Sequence, residues 1–255
     1  MKKIYILIIF LSLTSSLQAR EFLNTVVHLN FGGMYTFASD GDFIREEKSE
    51  INSHFSSGSP KTSHYSTAYS LTLDIAPMKP ILIGLEDAAV KFGVRGAYRL
   101  NFLQQRVKFE GQEYGDKVMD YSSWMIGPVI HYAPFIEPSS LDYEYTASGG
   151  FTFYTLFGKL NGDLTAYPAV REDGEAPGNY STKITGYKMD IGVGAEIALC
   201  ALNFGVNIYY SRTTIDMKEA VYSGMGRRGR MHEGCMEIYI GIPIEPFIKP
   251  IIPRF

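Results

Sequence analysis

His28 and His131, with the carboxylates Asp74, Glu144 and Glu196, are residues whose types could do chemistry together. Imidazole beside carboxylate is the raw material of a metal site or of an acid–base pair. A ligand pair on one element needs a spacing such as His-x-x-x-His, and none occurs in this chain. A second pair, His64 and Ser66, has the types of a general base and a hydroxyl nucleophile. Tyr65 lies between them, so on an extended segment both point away from the face that Tyr65 takes. Arg227, Arg228 and Arg230 form a basic cluster among glycines. They are candidates for contact with lipid phosphates or another polyanion, or else a solvated loop. Cys200 and Cys235 are too few for a disulfide framework or a four-thiolate zinc site. These residues imply no metal and no cofactor.

What the candidates can do depends on the elements that position them. The chain has 255 residues, a formal net charge of -3 and 45% hydrophobic residues, which favours a folded core over disorder. The near balance of charge excludes the global basic footprint of a nucleic-acid binder. Gly 25, Tyr 18 and Phe 16 against a single Trp point to an all-β protein. The N-terminus reads as an export signal over residues 1–19. Lys2 and Lys3 are its positive region and Ile4 to Leu13 its apolar run, with cleavage expected after Ala19. That run is short of the roughly 20 residues a spanning helix needs. No cysteine lies near the cut, so a lipoprotein signal is not expected.

Period-2 alternation runs through residues 20–244, the span expected to form one barrel domain. Phe31, Gly33, Tyr35 and Phe37 oppose Gly32, Met34 and Thr36. Leu71, Leu73 and Ile75 oppose Ser70, Thr72 and Asp74. Val90, Phe92, Val94, Tyr98, Leu100 and Phe102 oppose Lys91, Arg95, Arg99 and Asn101. Trp124, Ile126, Pro128 and Ile130 oppose Ser123, Met125 and His131, and Pro128 suggests a bulge. A fifth strand is read from Tyr143 to Phe157, with Glu144 and Thr152 on its polar face. Tyr187, Ile191, Val193 and Ile197 oppose Lys188, Asp190 and Glu196. Phe204, Val206, Ile208 and Tyr210 oppose Asn203 and Asn207. Met236, Ile238, Ile240 and Ile242 oppose Cys235, Glu237 and Tyr239. Eight strands result, with connections at 39–64, 77–88, 103–118, 133–142, 158–181, 198–201 and 213–232. These alternate long and short, the pattern of an up-and-down meander with long loops on one side. Each strand has about the 9–11 residues of a tilted membrane strand, or slightly more. Aromatics gather near strand ends, as interfacial belts do.

With its export signal, strand count and loop asymmetry, the chain resembles the small eight-stranded outer-membrane barrels of the OmpA, OmpX and OmpW-like group. The resemblance is architectural, covers residues 25–244 and carries no family-specific motif. It implies an all-β, eight-stranded antiparallel transmembrane barrel with long extracellular loops and short periplasmic turns. The implied location is the outer membrane of a diderm bacterium. The implied partners are outer-membrane lipid, the barrel-assembly machinery during insertion, and an extracellular ligand whose identity is open; nucleic acid is not among them. The proline-rich tail 245–255 holds Pro246, Pro250 and Pro253, which cannot donate to a ladder. Whether its terminal Phe255 serves assembly is left open.

A barrel of eight strands is just wide enough for its own side chains. The lumen cluster expected is Asp74, Lys91, Arg95, Arg99, Glu144, Lys188, Asp190, Glu196 and Glu237, with His28 and His131 toward the lower end. Mixed signs favour a salt-bridged plug over a single-sign ion path. Asp74 and Lys91 flank the second connection and are expected to meet. Arg95 and Arg99 are expected to reach across toward Asp190 or Glu237. His28 and His131 stand on strands well separated around the ring, which argues against a joint site. Cys200 and Cys235 fall at opposite rims, so both thiols are expected free, Cys235 facing the lumen. The reading that follows is a non-enzymatic barrel, structural or interactive through four surface loops. A narrow channel for small or hydrophobic solutes, with a lateral gap at Pro128, is the alternative, and a lipid-modifying enzyme a weaker one.

Overall fold

The alternation is realised as strands in a computed structural model that describes residues 27–41, 61–84, 88–109, 112–138, 145–147, 149–168, 180–199, 202–219 and 227–244. In chain order the strands are β1 (Val27–Gly41), β2 (Lys61–Ile75), β3 (Ile81–Ile83), β4 (Ala88–Phe109), β5 (Gln112–Ala133), β6 (Glu137–Pro138), β7 (Tyr145–Thr146), β8 (Gly149–Pro168), β9 (Tyr180–Leu199), β10 (Leu202–Met217) and β11 (Arg228–Pro243). The sheet order is β2-β1-β11-β10-β9-β8-β5-β4-β3, and β2 also pairs with β4. Eight long strands thus close an antiparallel ring. The seam between β1 and β11 joins His28 to Pro243 at one end and Gly41 to Met231 at the other. The end of the barrel that holds Val27 and Pro243 is here the base, and the opposite end the top.

The strands run further upward than the alternation of apolar residues suggests. The connection read at 103–118 is mostly ladder: β4 and β5 pair from Ala89↔Ala133 to Phe109↔Gln112, with one register shift between Val107 and Lys108. Likewise β8 runs on to Pro168 and β9 starts at Tyr180, so the connection read at 158–181 shrinks to 169–179. The last one shrinks to 218–227. The upper side therefore consists of continued hairpins as much as of loops.

At the base the differences are smaller. Pro77 and Pro80 interrupt the ladder after β2, because proline lacks the N–H donor. The chain then resumes as β3 against Val90–Ala88 of β4. The fifth barrel strand begins at Gly149 and not at Tyr143; Tyr145 and Thr146 pair separately with Glu137 and Pro138. Pro128 causes no bulge. The β5–β8 register is the same on both sides of it, Ile126↔Phe157 and Val129↔Tyr154, and only the rungs at Gly127 and Pro128 are missing. An inserted residue would have shifted the register; the missing donor removes rungs without doing so.

One parity of each barrel strand points out and the other in, with the parity of β1 reversed above its register shift between Thr36 and Ala38. The outward set includes Phe31, Tyr69, Phe92, Ile126, Phe153, Ile191, Val206 and Ile238, all exposed. The inward set includes His28, Asp74, Lys91, Arg95, Arg99, His131, Lys188, Asp190, Glu196, Glu233 and Glu237, all buried. This is the inverse of a water-soluble barrel. Inward glycines make room for the ring-bearing residues among them. A Cβ at Gly205 would overlap the Tyr239 ring, and one at Gly192 the Tyr154 ring.

The pattern changes near the top. There the buried inner residues are Leu103, Met119, Tyr121, Leu160, Leu164, Ile184, Ile215, Met217 and Met231, one apolar cluster. The outward residues at that height are polar, among them Asp163, Lys183, Arg212, Asp216 and Arg228. Between the two zones stands a ring of exposed aromatics: Tyr35, Phe37, Tyr65, Phe102, Trp124, Phe157, Tyr187 and Tyr210.

Candidate functional site: the barrel interior

The lower interior is organised by β2–β4 register. Asp74 lies directly opposite Arg95, not Lys91. Arg95 Nε donates to Asp74 Oδ1 and Arg95 Nη2 to Oδ2, each at 2.7 Å. This is the two-pronged guanidinium–carboxylate fork, which fixes orientation as well as charge. Lys91, nearer the base, lies opposite His131 of β5. The Arg95 guanidinium also lies over the Tyr154 ring, 4.5 Å from its centre.

The two histidines do come together. Their ring centres are 6.2 Å apart and nearly parallel. Distance around the wall is not distance across the lumen, and in a barrel this narrow opposite strands face each other. His131 Nε2 lies 3.8 Å from Asp74 Oδ2. On the other side Asn203 Nδ2 donates to Glu196 Oε1 at 2.7 Å and stands 2.9 Å from His28 Nδ1. The Tyr239 hydroxyl donates to Glu196 Oε2 at 2.7 Å. The base is thus one network, Arg95–Asp74–His131–His28–Asn203–Glu196–Tyr239. Among the described residues no group of His, Cys, Asp and Glu is arranged to hold a metal ion.

Higher up, Arg99 makes the cross-lumen contacts expected of it. It pairs with Asp190, and its Nη2 lies 3.8 Å from Glu237 Oε2. Ser70 donates to Glu237, and Asn207 Nδ2 donates to the same carboxylate at 3.0 Å. The Arg99 guanidinium sits 4.3 Å from the Tyr209 ring centre. Lys188 Nζ donates to Asn101 Oδ1 at 3.1 Å and lies 5.4 Å from the centre of the Tyr121 ring. Both arginines therefore combine a carboxylate with an aromatic face, an arrangement that suits a weakly hydrated guanidinium taken out of water.

Several interior residues were not singled out by sequence. Glu233 is buried one step above Cys235 on the same parity of β11. Continuing the alternation upward past Cys235 would have found it. Tyr239 is interior, on the face where alternation sets it, and so are Tyr121, Tyr154 and Tyr209; their contacts with Lys188, Arg95 and Arg99 are what the alternation does not reveal. Cys235 is buried and free, 3.6 Å from the Thr36 hydroxyl. Ser66 points inward as expected, away from the barrel exterior. Arg227 and Arg228 are exposed, and Arg228 Nε is 3.3 Å from Asp216 Oδ1. Arg230 is exposed on the same face. Glu144, Cys200, the side chain of His64, the segment 1–19 and the tail 245–255 lie outside the described residues.

No protein-family model matches the chain, and no curated protein matches it. Among solved structures the chain is similar to Ail, the attachment invasion locus protein of Yersinia pestis, at 13% identity, covering 84% of this chain and 95% of that one, with a TM-score of 0.35. It is similar to the outer membrane protein OprG from Pseudomonas aeruginosa at 12% identity, covering 86% and 95%, with a TM-score of 0.38. The outer membrane enzyme PagL matches at 10% identity over 84% and 99%, with a TM-score of 0.28. At such scores the likeness carries no weight for this chain. Its own strand pairing establishes the fold: an all-β, eight-stranded, antiparallel up-and-down barrel of the small kind.

Proposed function

We propose that the chain is an outer-membrane β-barrel protein of a diderm bacterium, without catalytic activity, whose role is structural or interactive through its outer connections. The observation that carries this reading is the inverted wall: exposed Phe, Ile, Val and Leu side chains outside, ion pairs and amides inside, and a ring of aromatics where the apolar zone ends. An apolar band bounded by aromatics is what a tilted strand presents to hydrocarbon and headgroups. The Arg95–Asp74 fork, the Arg99 contacts and the apolar cluster above them fill the lumen at three heights. That supports a closed barrel over an aqueous pore. Reconstitution in a planar bilayer tests it: the protein should insert and show no conductance steps, whereas steady single-channel currents would overturn the closed reading. Protease added to intact cells should cut within 42–60 or 169–179 and spare 77–83. Cutting confined to 77–83 would reverse the orientation.

A second reading has one observation in its favour. The rungs at Gly127 and Pro128 opposite Thr155 and Leu156 are missing, and the upper lumen above them is apolar. A small hydrophobic solute entering from the top would find a weakened stretch of wall facing lipid. Cross-linking the adjoining rung, with Ile126→Cys and Phe157→Cys at directly paired positions, should block uptake of an apolar fluorophore into vesicles if this path operates. Uptake that is absent in the unmodified protein removes the reading.

A further inference from the structure

Every barrel strand except β11 sets an aromatic side chain in the exposed ring, and β11 has Gly234 at that height. The place is not empty. Gly234 lies opposite Tyr210 on β10, and a Cβ there would strike the Phe37 ring. Two rings from neighbouring strands thus flank a bare backbone position. Below it on the outer face of β11 stand Met236, Ile238 and Ile240, all exposed. Above it stands His232, in register with Arg212 of β10 on one side and with the exposed Asp40 of β1 on the other. The Tyr210 hydroxyl is hydrogen-bonded to His232 Nδ1, with the two rings stacked 5.9 Å apart. When that hydroxyl donates, Nδ1 is the acceptor and Nε2 carries the outward N–H. Arg212 is exposed, and none of the ion pairs among the described residues engages it. Further up the same face come Arg230 and then Arg228, the latter shared with Asp216.

From the base upward, this strip is an apolar track, a glycine overlain by the Phe37 ring beside Tyr210, and then the guanidinium of Arg212 with the imidazole of His232. That is the profile of an anionic amphiphile: acyl chain, interfacial linker, phosphate. We propose that the outer face of the β10–β11 hairpin, centred on Arg212 and His232 with Tyr210 holding the imidazole, is a binding site for the phosphate group of an outer-leaflet glycolipid. The site rests on the membrane reading above, since only that reading puts headgroups at the height of the aromatic ring. Arg212 supplies the charge and the planar donor fork that suits phosphate oxygens. His232 Nε2 adds a second donor from the next strand. The alkyl tracks below supply what a free phosphate ion could not use.

Lys159 gives the internal control. It is an exposed cation two residues above Phe157, opposite Trp124 on one side and Tyr187 on the other. It has the height and the charge but neither a second cation nor an imidazole in register beside it. The experiment is native mass spectrometry of the folded protein in detergent with diphosphorylated lipid A as the probe. The unmodified barrel should retain it. Arg212→Gln should weaken retention about fivefold, the effect of one charge near an anionic surface, and adding His232→Gln should weaken it further. Lys159→Gln should change it much less. Equal retention of dephosphorylated lipid A, or retention by the double variant as strong as by the unmodified protein, would overturn the site. Displacement by inorganic phosphate alone would show an ion site with no use for the apolar track, and would overturn the lipid assignment. Insertion into vesicles is measured in parallel. A barrel that does not insert refutes the membrane reading itself, whereas variants that insert normally and still hold the probe refute only the site.

Discussion

The wall below the aromatic ring and the wall above it are made by the same strands in the same parity, yet their chemistry is opposite. On β9, Ile191, Val193 and Ile197 point out in the lower half, while Lys188, Asp190 and Glu196 point in. Three residues further up, Ser181, Lys183 and Thr185 point out, while Thr182 and Ile184 point in. The outside of each strand passes from apolar to polar at the height of Tyr187, and the inside passes the other way. On the membrane reading proposed above, the lower half meets hydrocarbon and hides its charges inward, while the upper half meets water and hides its Leu and Met. One sheet therefore satisfies two solvents without a change of fold, because alternation fixes only which residues share a face and leaves open what that face touches.

The comparison is broken most severely in the lower interior. Arg95→Ala leaves Asp74 buried without its fork and should cost about 3–5 kcal/mol, read from urea unfolding of the protein in lipid vesicles. A cost near zero would mean that water already reaches Asp74. In the upper interior the loss is of packing and not of charge. Leu160→Ala should cost about 2–5 kcal/mol, and the same method shows it; an unchanged midpoint would mean that the upper cluster is not packed.

On the outside, the two halves should respond differently to one substitution. Ile191→Arg should cost about 2–4 kcal/mol if it lies near the bilayer midplane, whereas Thr185→Arg, on the same strand and face but above the ring, should change stability by less than about 0.5 kcal/mol. Equal costs would erase the boundary at Tyr187. The smallest effect is expected at the exposed pair of Lys183 Nζ with Asp163 Oδ1, 2.7 Å apart. Lys183→Ala should cost about 0.2–1 kcal/mol, and less in high salt.

The lower half was legible in the sequence for the same reason that it is distinctive. An apolar face unbroken by charge, set against a face of Gly, Asp, Lys and Glu, can be counted residue by residue, and it marks the eight strands and sets Asp74, Lys91, Arg95, Arg99, Lys188, Asp190, Glu196 and Glu237 on the inner face where they are buried. The upper half was read as loop. The stretch from Gly158 to Pro168 is rich in Gly, Asn, Asp and Thr, residues that signal turns. Its ladder is visible only in Leu156, Leu160 and Leu164, spaced at multiples of two on the inner parity. In the β4–β5 hairpin the same is true of Leu103 and Met119. The His28–His131 contact was missed because strand order was taken as distance. The Asp74–Arg95 fork was missed because the two prolines before β3 shift where the register begins. The first follows from closure of the ring, which no local pattern encodes, and the second from the register of two neighbouring strands.

Closure has a consequence for assembly. The seam that completes the ring joins β1 to β11, the first barrel strand to the last, whereas β4 and β5 are joined through residues 110–111 alone. Pairings so distant along the chain form late, because loop entropy must be overcome before they contribute. Until then β1 has one edge paired with β2 and the other bare, and β11 is bare on its β1 side. A sheet of these strands with that seam unmade would carry two bare strand edges, which are templates for self-association. The β1–β11 seam, with its register shift between Thr36 and Ala38, is what turns eight long strands from an open sheet into a ring without a free long edge.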